Sequence, residues 1–290
     1  MAYLAIINPA AGNGAGRRLA PTLASRFRAV GLRIEVLVTP GPGEAARLAS
    51  EAADDGYDAV IAVGGDGTAN EVANGLVGTD TALALYPIGS GNDLARGLGY
   101  PRRPRDFVGF LAAARLRRID VGEANGRIFV NSAGVGIDGV VAERIERSTR
   151  IAGPTLGYLA GALGAIATYR PIRMRSTIDG SSRDAKQLIV VASNGPYFGG
   201  GMRPAPTAEL DDGWLNITIA DGIGRIATIG ALARLYRGTH ANGTTIRALL
   251  AREITIELDR SMPIEIDGEV IRASSLAIGI RPLALTVLAA

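Results

Sequence analysis

Short apolar runs alternate with longer segments of mixed polarity over the first third of the chain. The runs are LAIIN, RIEVLVT, DAVIAVGG and ALALYPIG, and a helix-like segment follows each of them. Because the runs do not alternate regularly between apolar and polar residues, they are typical of strands buried on both faces of a parallel sheet. The pattern therefore predicts an α/β fold in which helices flank a parallel sheet.

From about Arg118 the pattern changes to strand-like pieces separated by turns, among them RIDVGEA, RIFVNSAGVG, KQLIVVASN, GWLNITIAD and EITIELD. Several pieces alternate apolar and polar residues, as antiparallel strands with one face in water do. We expect residues 1–119 to form a nucleotide-binding α/β domain, with residues 281–290 as a candidate for returning to it. Residues 120–280 are expected to form a β-rich, sandwich-like domain, with the active site in the cleft between the two domains.

One apolar segment, PTLGYLAGALGAIATYR, extends from Pro154 to Arg170 and is followed closely by Arg173 and Arg175. It is shorter than the about 20 residues that span a bilayer. The segment predicts a helix that is either buried in the second domain or in contact with a membrane surface, and both alternatives stay open at this point.

The composition restricts the available chemistry. A net charge of +3, with no stretch that interleaves basic and aromatic residues, excludes nucleic acid as a partner. The chain has no cysteine, and its N-terminus reads as a first strand rather than a signal peptide, so we expect a cytoplasmic protein. Lys186 is the only lysine and the P-loop pattern GxxxxGK does not occur. A phosphate would therefore be held by arginine, backbone N–H groups or a metal.

Three glycine-rich turns follow predicted strands: NPAAGNG (Asn8 to Gly14), GGDGT (Gly64 to Thr68) and GSGND (Gly89 to Asp93). In an open parallel sheet, ligands bind beyond the carboxyl ends of the strands, where such turns let backbone N–H groups approach phosphate. Because three turns of this kind would share one edge of the sheet, they predict a nucleotide site.

Helix capping is the alternative role for the polar residues in these turns. Thr68 and Glu71 fit the capping box T-x-x-E, and Ser90 or Asn92 fits the N-cap of a further helix. The two roles are compatible, because a capped helix N-terminus still offers amides to an anion.

Asp66 places a carboxylate inside the predicted phosphate site. A carboxylate beside polyphosphate is tolerated when a divalent cation lies between them, and Mg²⁺ is typically held by one or two carboxylates together with phosphate oxygens. Asp66 therefore predicts a metal. Asp93 and Asp120 end similar segments and either share that network or serve as turn and cap residues.

Other motifs carry weaker predictions. Gly134, Gly136 and Gly139 satisfy G-x-G-x-x-G, the pattern of dinucleotide oxidoreductases, but no acidic residue lies at the required distance, so a close-packed glycine turn is favoured. Asp267-Gly268 is a favoured hairpin pair and Asp212 fits a surface turn. No chemistry is assigned to the other Asp-Gly pairs, at Asp138, Asp179 and Asp221, and the single histidine, His240, is expected in a loop.

Six blocks resemble, in order, the signature sequences of the soluble diacylglycerol kinase superfamily of lipid kinases, whose relatives include sphingosine and ceramide kinases. They are NPAAGNG, VGGDGTANEVANGL, PIGSGNDLAR, NSAGVGIDG, ELDDGWL and IEIDGE, from Asn8 to Glu269. GGDGT is shared with NAD kinases, whereas its combination with GND and a late DGE is specific. Ser90 stands where threonine is commoner, which keeps the hydroxyl.

The resemblance implies roles for individual residues. It implies an ATP site at Asn8, Pro9, Ala10, Ala11, Gly12, Thr39, Gly64, Gly65, Asp66, Gly67, Thr68, Ala69, Asn70, Ser90 and Glu269. It also implies that Asp66, Asp93 and Asp120 lie near a catalytic Mg²⁺ and that Asp267 is the catalytic base. A structural Mg²⁺ would be bound by the Asp212 carboxylate and the backbone carbonyls of Glu209 and Trp214.

The activity implied is ATP- and Mg²⁺-dependent transfer of the γ-phosphate to a hydroxyl of a lipid such as diacylglycerol. The expected partner is a lipid substrate at a membrane surface, with peripheral contact at the inner membrane face, and a homodimer is compatible with the sequence. Three alternatives are a kinase of a soluble substrate that resembles NAD kinases, a non-catalytic binder of nucleotide or lipid, and an oxidoreductase.

Overall fold

The computed structural model describes residues 2–290 apart from residues 102, 104, 105, 153–163, 223, 242 and 243. The chain divides into two compact units, which are Met1–Val121 together with Pro282–Ala290 (unit 1), and Gly122–Arg281 (unit 2). The expected combination of an N-terminal α/β domain and a β-rich domain is confirmed.

The helices and strands are named in chain order. The first nine are β1 (Tyr3–Ile7), α1 (Ala11–Arg28), β2 (Ile34–Val38), α2 (Glu44–Asp54), β3 (Ala59–Gly64), α3 (Asp66–Leu76), β4 (Ala82–Pro87), α4 (Asp93–Gly97) and α5 (Phe107–Ala113). The others are β5 (Arg115–Ala124), β6 (Arg127–Phe129), β7 (Ser132–Gly136), α6 (Ile137–Ala152), β8 (Ile172–Ile178), β9 (Ser181–Ser193), β10 (Leu215–Asp221), α7 (Arg225–Arg237), β11 (Ile246–Ala251), β12 (Glu253–Ile266) and β13 (Glu269–Ala289).

Unit 1 contains a parallel sheet in the order β2-β1-β3-β4. The last part of β13 joins its edge in parallel, where Val287 pairs with Leu83. Every residue of β1 and β3 is buried, which explains why their sequences are continuously apolar. Helix α1 packs through Leu19, Leu23 and Phe27, which recur every four residues and are buried. Truncation of a buried leucine such as Leu23 to alanine would cost about 2–5 kcal/mol.

Unit 2 contains antiparallel strands in the order β11-β10-β9-β7-β12-β13. Strand β8 pairs with both β9 and β12, and β5 pairs with β6. The inward-facing residues form one apolar core that includes Met174, Val190, Ile217, Ile254 and Ile264. In β8 and the first half of β12, the residues alternate between the core and solvent, whereas β7 and the end of β12 are buried on both faces.

The apolar segment Pro154–Arg170 lies partly outside the described residues, since 153–163 are not among them. Residues 164–168 are helical, and Ala165 is buried. Across the part of the chain that the structure describes, every helix is too short or too polar to cross a membrane.

Candidate active site

The three glycine-rich turns lie together in unit 1, and we call Asn8–Gly14, Gly64–Thr68 and Gly89–Asp93 the glycine-turn site. They follow β1, β3 and β4, which are neighbours in the parallel sheet. The Asn8 side-chain amide donates a hydrogen bond to the Thr68 hydroxyl at 3.1 Å. The Gly64 carbonyl accepts hydrogen bonds from the backbone N–H groups of Ile88, at 2.9 Å, and of Gly89, at 3.2 Å.

Glycine is required where two of these turns meet. A Cβ atom at Gly89 would lie 2.4 Å from the Cα atom of Gly65, and one at Gly12 would lie 2.3 Å from the carbonyl oxygen of Ile88. A side chain at either glycine would therefore force the turns apart. The surface that the turns present consists largely of backbone, as a phosphate-binding surface requires.

The first turn has an unusual backbone conformation. Gly12, Asn13 and Gly14 have φ angles of 58°, 52° and 80°, so three successive residues adopt the left-handed conformation ahead of the regular part of α1. Glycine and asparagine tolerate this conformation better than other residues do. The Asn8 side chain supports the turn by accepting a hydrogen bond from the Ala10 N–H at 3.0 Å.

Asp66 joins the second turn to the third. Its Oδ1 atom accepts hydrogen bonds from the backbone N–H groups of Asp93, at 2.6 Å, and Leu94, at 3.3 Å. These are the first amides of α4, so Asp66 caps that helix. Asn92 precedes α4, but its side chain bonds to the backbone N–H and carbonyl of Gly89, at 3.1 and 2.7 Å. Asn92 therefore occupies the predicted N-cap position of α4, but its side chain does not cap the helix.

The predicted capping box is also wrong. Helix α3 begins at Asp66, two residues before Thr68, and no side chain caps it. The Glu71 carboxylate accepts a hydrogen bond from the Ala45 N–H at 3.1 Å, near the start of the neighbouring helix α2. Glu71 therefore stabilises the contact between two helices, and the Thr68 hydroxyl belongs to the glycine-turn site.

The other acidic candidates of unit 1 have partners within the fold. The buried Asp93 carboxylate forms a salt bridge with Arg96 at 2.6 Å. The buried Asp120 carboxylate accepts a hydrogen bond from the Leu283 N–H at 2.7 Å. Within the described residues, no three histidine, aspartate or glutamate side chains are grouped so that they could hold a metal ion. Asp66, Asp93 and Asp120 thus form no three-carboxylate cluster.

The donor set still fits Mg²⁺ in a nucleotide complex. Asp66 uses Oδ1 for the α4 amides, and Oδ2 forms no hydrogen bond within the described part of the chain. Mg²⁺ commonly takes one or two carboxylate oxygens and completes its octahedron with phosphate oxygens and water. One carboxylate oxygen beside a backbone cradle for phosphate meets that requirement.

Three further candidates surround the turns. Thr39, directly after β2, is buried, and its backbone N–H donates to the Ile7 carbonyl at 2.9 Å. Ala69 and Asn70 lie in the first turns of α3. The Asn70 side-chain oxygen accepts a hydrogen bond from the Asn74 amide at 3.0 Å, which orients that side chain along the helix.

In unit 2, Asp267 occupies the two-residue turn between β12 and β13. Asp267 and Gly268 have φ angles of 46° and 90°, as expected for the Asp-Gly hairpin pair. The Asp267 carboxylate accepts hydrogen bonds from three consecutive backbone N–H groups, those of Val130 at 2.6 Å, Asn131 at 2.9 Å and Ser132 at 2.9 Å. Asp267 is therefore a turn residue whose buried carboxylate is fixed in position and orientation.

Asp179 provides an internal comparison. It also starts an Asp-Gly hairpin, with a φ of 43°, and its carboxylate accepts from the backbone N–H groups of Arg252 and Glu253 at 3.0–3.3 Å. Asp179 is exposed, however, whereas Asp267 is buried beside other acidic groups. Capture of amides is thus common to such hairpins, and the surroundings distinguish Asp267.

The remaining predicted residues of unit 2 lie on its surface. The Asp212 carboxylate accepts a hydrogen bond from the Trp214 N–H at 2.9 Å, which is the geometry of a surface turn. Glu209 is exposed nearby, and the Arg252 guanidinium stacks on the Trp214 ring at 4.6 Å. Glu269 forms an exposed salt bridge with Arg127 at 3.1 Å.

Unit 2 also contains a large apolar pocket of about 410 Å³, which we call the apolar pocket. Helices α6 and α7 and strand β9 supply much of its wall, including Val141, Leu188, Val191, Met202, Leu232 and Leu235. Pockets that bind small molecules typically enclose about 300–1,000 Å³ and are mostly apolar with a few polar groups. Here the ionisable members are Asp138, Glu265, His240 and Tyr236.

Asp138 and Glu265 approach each other across Gly134. Gly134 pairs with Glu265 between β7 and β12, and a Cβ atom at Gly134 would lie 2.2 Å from Oδ2 of Asp138. Burial raises the pKa of Asp138 to about 7. The pKa of Glu265 is raised well above its usual range by burial, and the charges of Asp138 and Asp267 add to the shift. One acidic region therefore connects the pocket with Asp267.

Three of the four oxygens of these two carboxyl groups lack a hydrogen-bond partner within the described part of the chain. Both Asp138 oxygens and Oε2 of Glu265 are buried and accept no hydrogen bond of ordinary geometry from a described residue. Glu265 Oε1 accepts a hydrogen bond from the Gly268 N–H. A buried polar atom without a partner costs about 1–3 kcal/mol, so this end of the pocket is suited to a hydroxyl-bearing ligand.

Sequence reasoning missed this acidic end. The sequence assigns no chemistry to Asp138, and the loop residue His240 is buried in the pocket wall, where burial lowers its pKa. The motif GVGIDG spans the end of β7 and the start of α6. Because β7 is antiparallel to β9 and β12, the dinucleotide interpretation is wrong, and the prediction of a close-packed glycine turn is confirmed. The glutamate between two isoleucines in IEIDG could have drawn attention to this position. The segment alone does not predict that Glu265 is buried, because its burial depends on the pairing of β12 with β7.

Two family models match the chain. Residues 2–124 match the diacylglycerol kinase catalytic domain, and residues 131–289 match the YegS C-terminal NAD kinase beta sandwich-like domain. A Chromohalobacter salexigens protein named "Probable lipid kinase YegS-like" is 32% identical over 84% of this chain and 80% of its own length. The diacylglycerol kinase of Bacillus subtilis is 29% identical over 91% and 88% of the two chains.

Solved structures agree with these matches. The crystal structure of a diacylglycerol kinase from Bacillus anthracis superposes with a TM-score of 0.75 at 26% sequence identity, over 99% of this chain and 96% of that one. Both family models and the relatives cover nearly the whole chain, which includes the glycine-turn site and the apolar pocket. The chain therefore belongs to the diacylglycerol kinase and YegS-like lipid kinase family, and it is a kinase.

Proposed function

We propose that this enzyme transfers the γ-phosphate of ATP, in the presence of Mg²⁺, to a hydroxyl of a lipid such as diacylglycerol. The observation that carries the proposal is the apolar pocket in unit 2, whose acidic end adjoins the fixed carboxylate of Asp267. A kinase of a small polar substrate has no use for an apolar cavity of about 410 Å³. The names of the relatives point to the same class of acceptor.

The glycine-turn site supports binding of the donor. The first amides of α3 follow Gly65 at the end of a buried strand, and a helix N-terminus attracts phosphate through its N–H groups and dipole. The left-handed turn at Gly12–Gly14 adds backbone from the neighbouring strand. Because the turns are fixed to one another by Asn8, Thr68 and Asp66, little ordering is required when ATP binds.

Asp66 provides the carboxylate oxygen for a metal in this site. When bound, Mg²⁺ would neutralise phosphate charge and polarise the γ-phosphoryl group. Asp93 and Asp120 would influence the metal only indirectly. The Asp93 carboxylate forms a salt bridge with Arg96, and the Asp120 carboxylate accepts a hydrogen bond from the Leu283 N–H. We place them outside the first coordination sphere. The Asp212 site is a separate proposal, with the oxygen of Asp212 that does not bond Trp214 as its ligand.

The apolar pocket supports binding of the acceptor. Acyl chains would lie among its aliphatic side chains, and burial of apolar surface contributes about 25 cal/mol per Å². The lipid hydroxyl groups would then meet Asp138 and Oε2 of Glu265, whose buried oxygens lack partners among the described residues. This arrangement leaves the reacting hydroxyl close to the hairpin that carries Asp267.

Asp267 is proposed as the general base. Three backbone N–H groups hold its carboxylate, so its orientation does not depend on side-chain mobility. Phosphoryl transfer proceeds mainly through positioning and charge stabilisation, and the acceptor proton leaves late in a loose transition state. An aspartate with ordinary acidity is sufficient for that step.

The proposal is tested by incubating the enzyme with radiolabelled ATP, Mg²⁺ and a panel of lipid alcohols. The parent chain should transfer label to lipid, and Asp267→Asn should lose at least about a hundredfold in rate while binding ATP normally. Asp179→Asn is the matched control, because it changes an equivalent hairpin carboxylate far from the pocket and should remain active.

Other outcomes would replace the proposal. Label in NAD and not in lipid would favour the kinase of a soluble substrate, and ATP binding without turnover on any alcohol would indicate a non-catalytic binder. Equal loss of activity in Asp267→Asn and Asp179→Asn would indicate that both carboxylates only stabilise the fold. Thermal unfolding of each variant separates loss of the fold from loss of the base.

A further inference from the structure

Helix α7, Arg225–Arg237, has two distinct faces. Thr228, Ala231, Leu232 and Leu235 follow the spacing i, i+3, i+4, i+7 and line the apolar pocket. They are partly buried, whereas the rest of the helix is exposed and contains no buried residue. One face of α7 is thus a wall of the pocket, and the other faces solvent.

The exposed face of α7 is apolar. Ile226 is 88% exposed and Ile229 is 55% exposed. They lie one turn apart, and Gly230 and Ala233 continue the same face. A helix on an ordinary protein surface turns charged or polar residues to water, so two isoleucines in this position indicate a surface that meets an apolar phase.

The charged residues of α7 have one sign. Arg225, Arg234 and Arg237 are exposed on α7. No aspartate or glutamate occurs in α7 or in the segment that follows it as far as Arg252. An apolar face with a basic border is complementary to an anionic lipid surface, where apolar side chains enter the acyl region and arginines contact phosphates.

The position of the pocket favours a lipid surface over other occupants. Tyr236 lies on the side of α7 that lines the pocket, yet it is 48% exposed, so it marks the rim. A bilayer in contact with the outer face of α7 would bring lipid molecules to this rim. An interface with a second copy of the chain would instead be expected to pair the arginines with acidic residues.

We propose that the outer face of α7, formed by Ile226, Ile229 and the flanking arginines, docks on an anionic membrane and admits the acceptor lipid to the pocket past Tyr236. This proposal deepens the proposed function and rests on it for the identity of the pocket. It locates the membrane contact on α7, within the described residues, and assigns the helix a role as both docking element and pocket wall.

The test is sedimentation of the full chain with vesicles of phosphatidylcholine, alone or mixed with phosphatidylglycerol. The parent should bind the mixed vesicles more tightly, and binding should weaken at high salt. The double variant Ile226→Ser/Ile229→Ser should need at least about tenfold more lipid for half-maximal binding. Arg225→Gln/Arg237→Gln should lose binding selectively on anionic vesicles, by about fivefold for each arginine.

Val38→Ser is the matched control, because Val38 is 47% exposed but lies on β2, whose residues include no arginine, and the variant should bind vesicles as the parent does. Unchanged vesicle binding of the isoleucine variant would overturn the proposal. A parent dimer that the isoleucine variant dissociates, without binding of the parent to vesicles, would assign the face to self-association and also overturn it.

Activity separates this proposal from the proposed function. A short-chain diacylglycerol that is dispersed as monomers reaches the pocket without a membrane, so the isoleucine variant should phosphorylate it at the parental rate. The same variant should be slower on long-chain diacylglycerol in vesicles. Absence of phosphorylation of both lipids by the parent would refute the lipid kinase function, while the vesicle-binding result would stand by itself.

Discussion

The Asp66 carboxylate accepts a hydrogen bond from the backbone N–H of Asp93 at a distance of 2.6 Å. Through this bond, a residue after β3 caps the short helix that follows β4, so two of the glycine-rich turns are linked by a side chain. The second oxygen of this carboxylate is the metal ligand in the proposed function. Asp66 would then have a structural role and a chemical role, which two separate measurements on one variant can distinguish.

Asp66→Ala is expected to lower the free energy of unfolding by about 0.5–2 kcal/mol in metal-free buffer, because the first amides of α4 lose their cap. It should also abolish the dependence of ATP affinity on Mg²⁺. Calorimetric titration of ATP with Mg²⁺ and with a chelator checks the second effect, and thermal unfolding checks the first. Parental ATP affinity that stays sensitive to the chelator would contradict the role of Asp66 as metal ligand.

Gly89→Ala is expected to weaken ATP binding at least about tenfold. Its Cβ atom would lie 2.4 Å from the Gly65 Cα atom, so the two turns have to separate. Gly109→Ala is the control, because a Cβ atom there meets no atom within 4 Å and alanine favours helix α5. Equal ATP affinity in the two variants would show that the contact between turns does not shape the phosphate site.

The ligand-free protein should lose stability as the pH rises from about 4 to 7 because of Asp138, whose pKa is raised from 3.8 to about 7. In that range the unfolded chain releases the Asp138 proton while the folded chain retains it, so proton binding favours the folded state at the acidic end. The change amounts to at most about 4 kcal/mol, at about 1.4 kcal/mol for each pKa unit.

Asp138→Asn should remove this contribution, so the variant should gain stability relative to the parent above pH 7 and match it more closely near pH 4. Urea unfolding at several pH values measures the difference. A parent and variant whose stabilities run parallel across this range would show that Asp138 titrates normally.

A larger side chain in the apolar pocket should impair use of the acceptor lipid without changing the affinity for ATP. Ala231→Phe adds a ring on the pocket side of α7, so kcat/KM for a long-chain diacylglycerol should fall at least about tenfold while ATP affinity stays unchanged. Ala227→Phe, on an exposed position of the same helix, is the control. Similar kinetics in the two variants would place the acyl chains elsewhere.

Local patterns were sufficient for much of the fold. The apolar runs before the three glycine turns are strands β1, β3 and β4, because strands buried on both faces need apolar residues at nearly every position. The fourth run is β2, an edge strand that is only partly buried. The turns themselves were visible because close backbone approach demands glycine. In contrast, the capping box failed because Glu71 contacts Ala45, which is distant in sequence, and local spacing does not report such a partner.

The acidic end of the apolar pocket depended on strand register. Glu265 alternates with isoleucines, a pattern that places a glutamate on the wet face of an isolated strand. Its burial arises because β7 pairs with β12 so that Gly134 lies opposite Glu265 and leaves room for Asp138. No pattern within either segment specifies that pairing. Helical spacing predicts the two faces of α7, but only the packing of unit 2 determines which face lines the pocket.

The position of β13 affects how the chain folds during its synthesis. Its final residues complete the sheet of unit 1, where Val287 pairs with Leu83, although all of unit 2 is encoded between them. During translation, β4 therefore lacks its β13 partner until residues 282–290 have left the ribosome. A nascent chain halted before that point would expose β4 to unwanted partners, and chaperones would be expected to recognise it there.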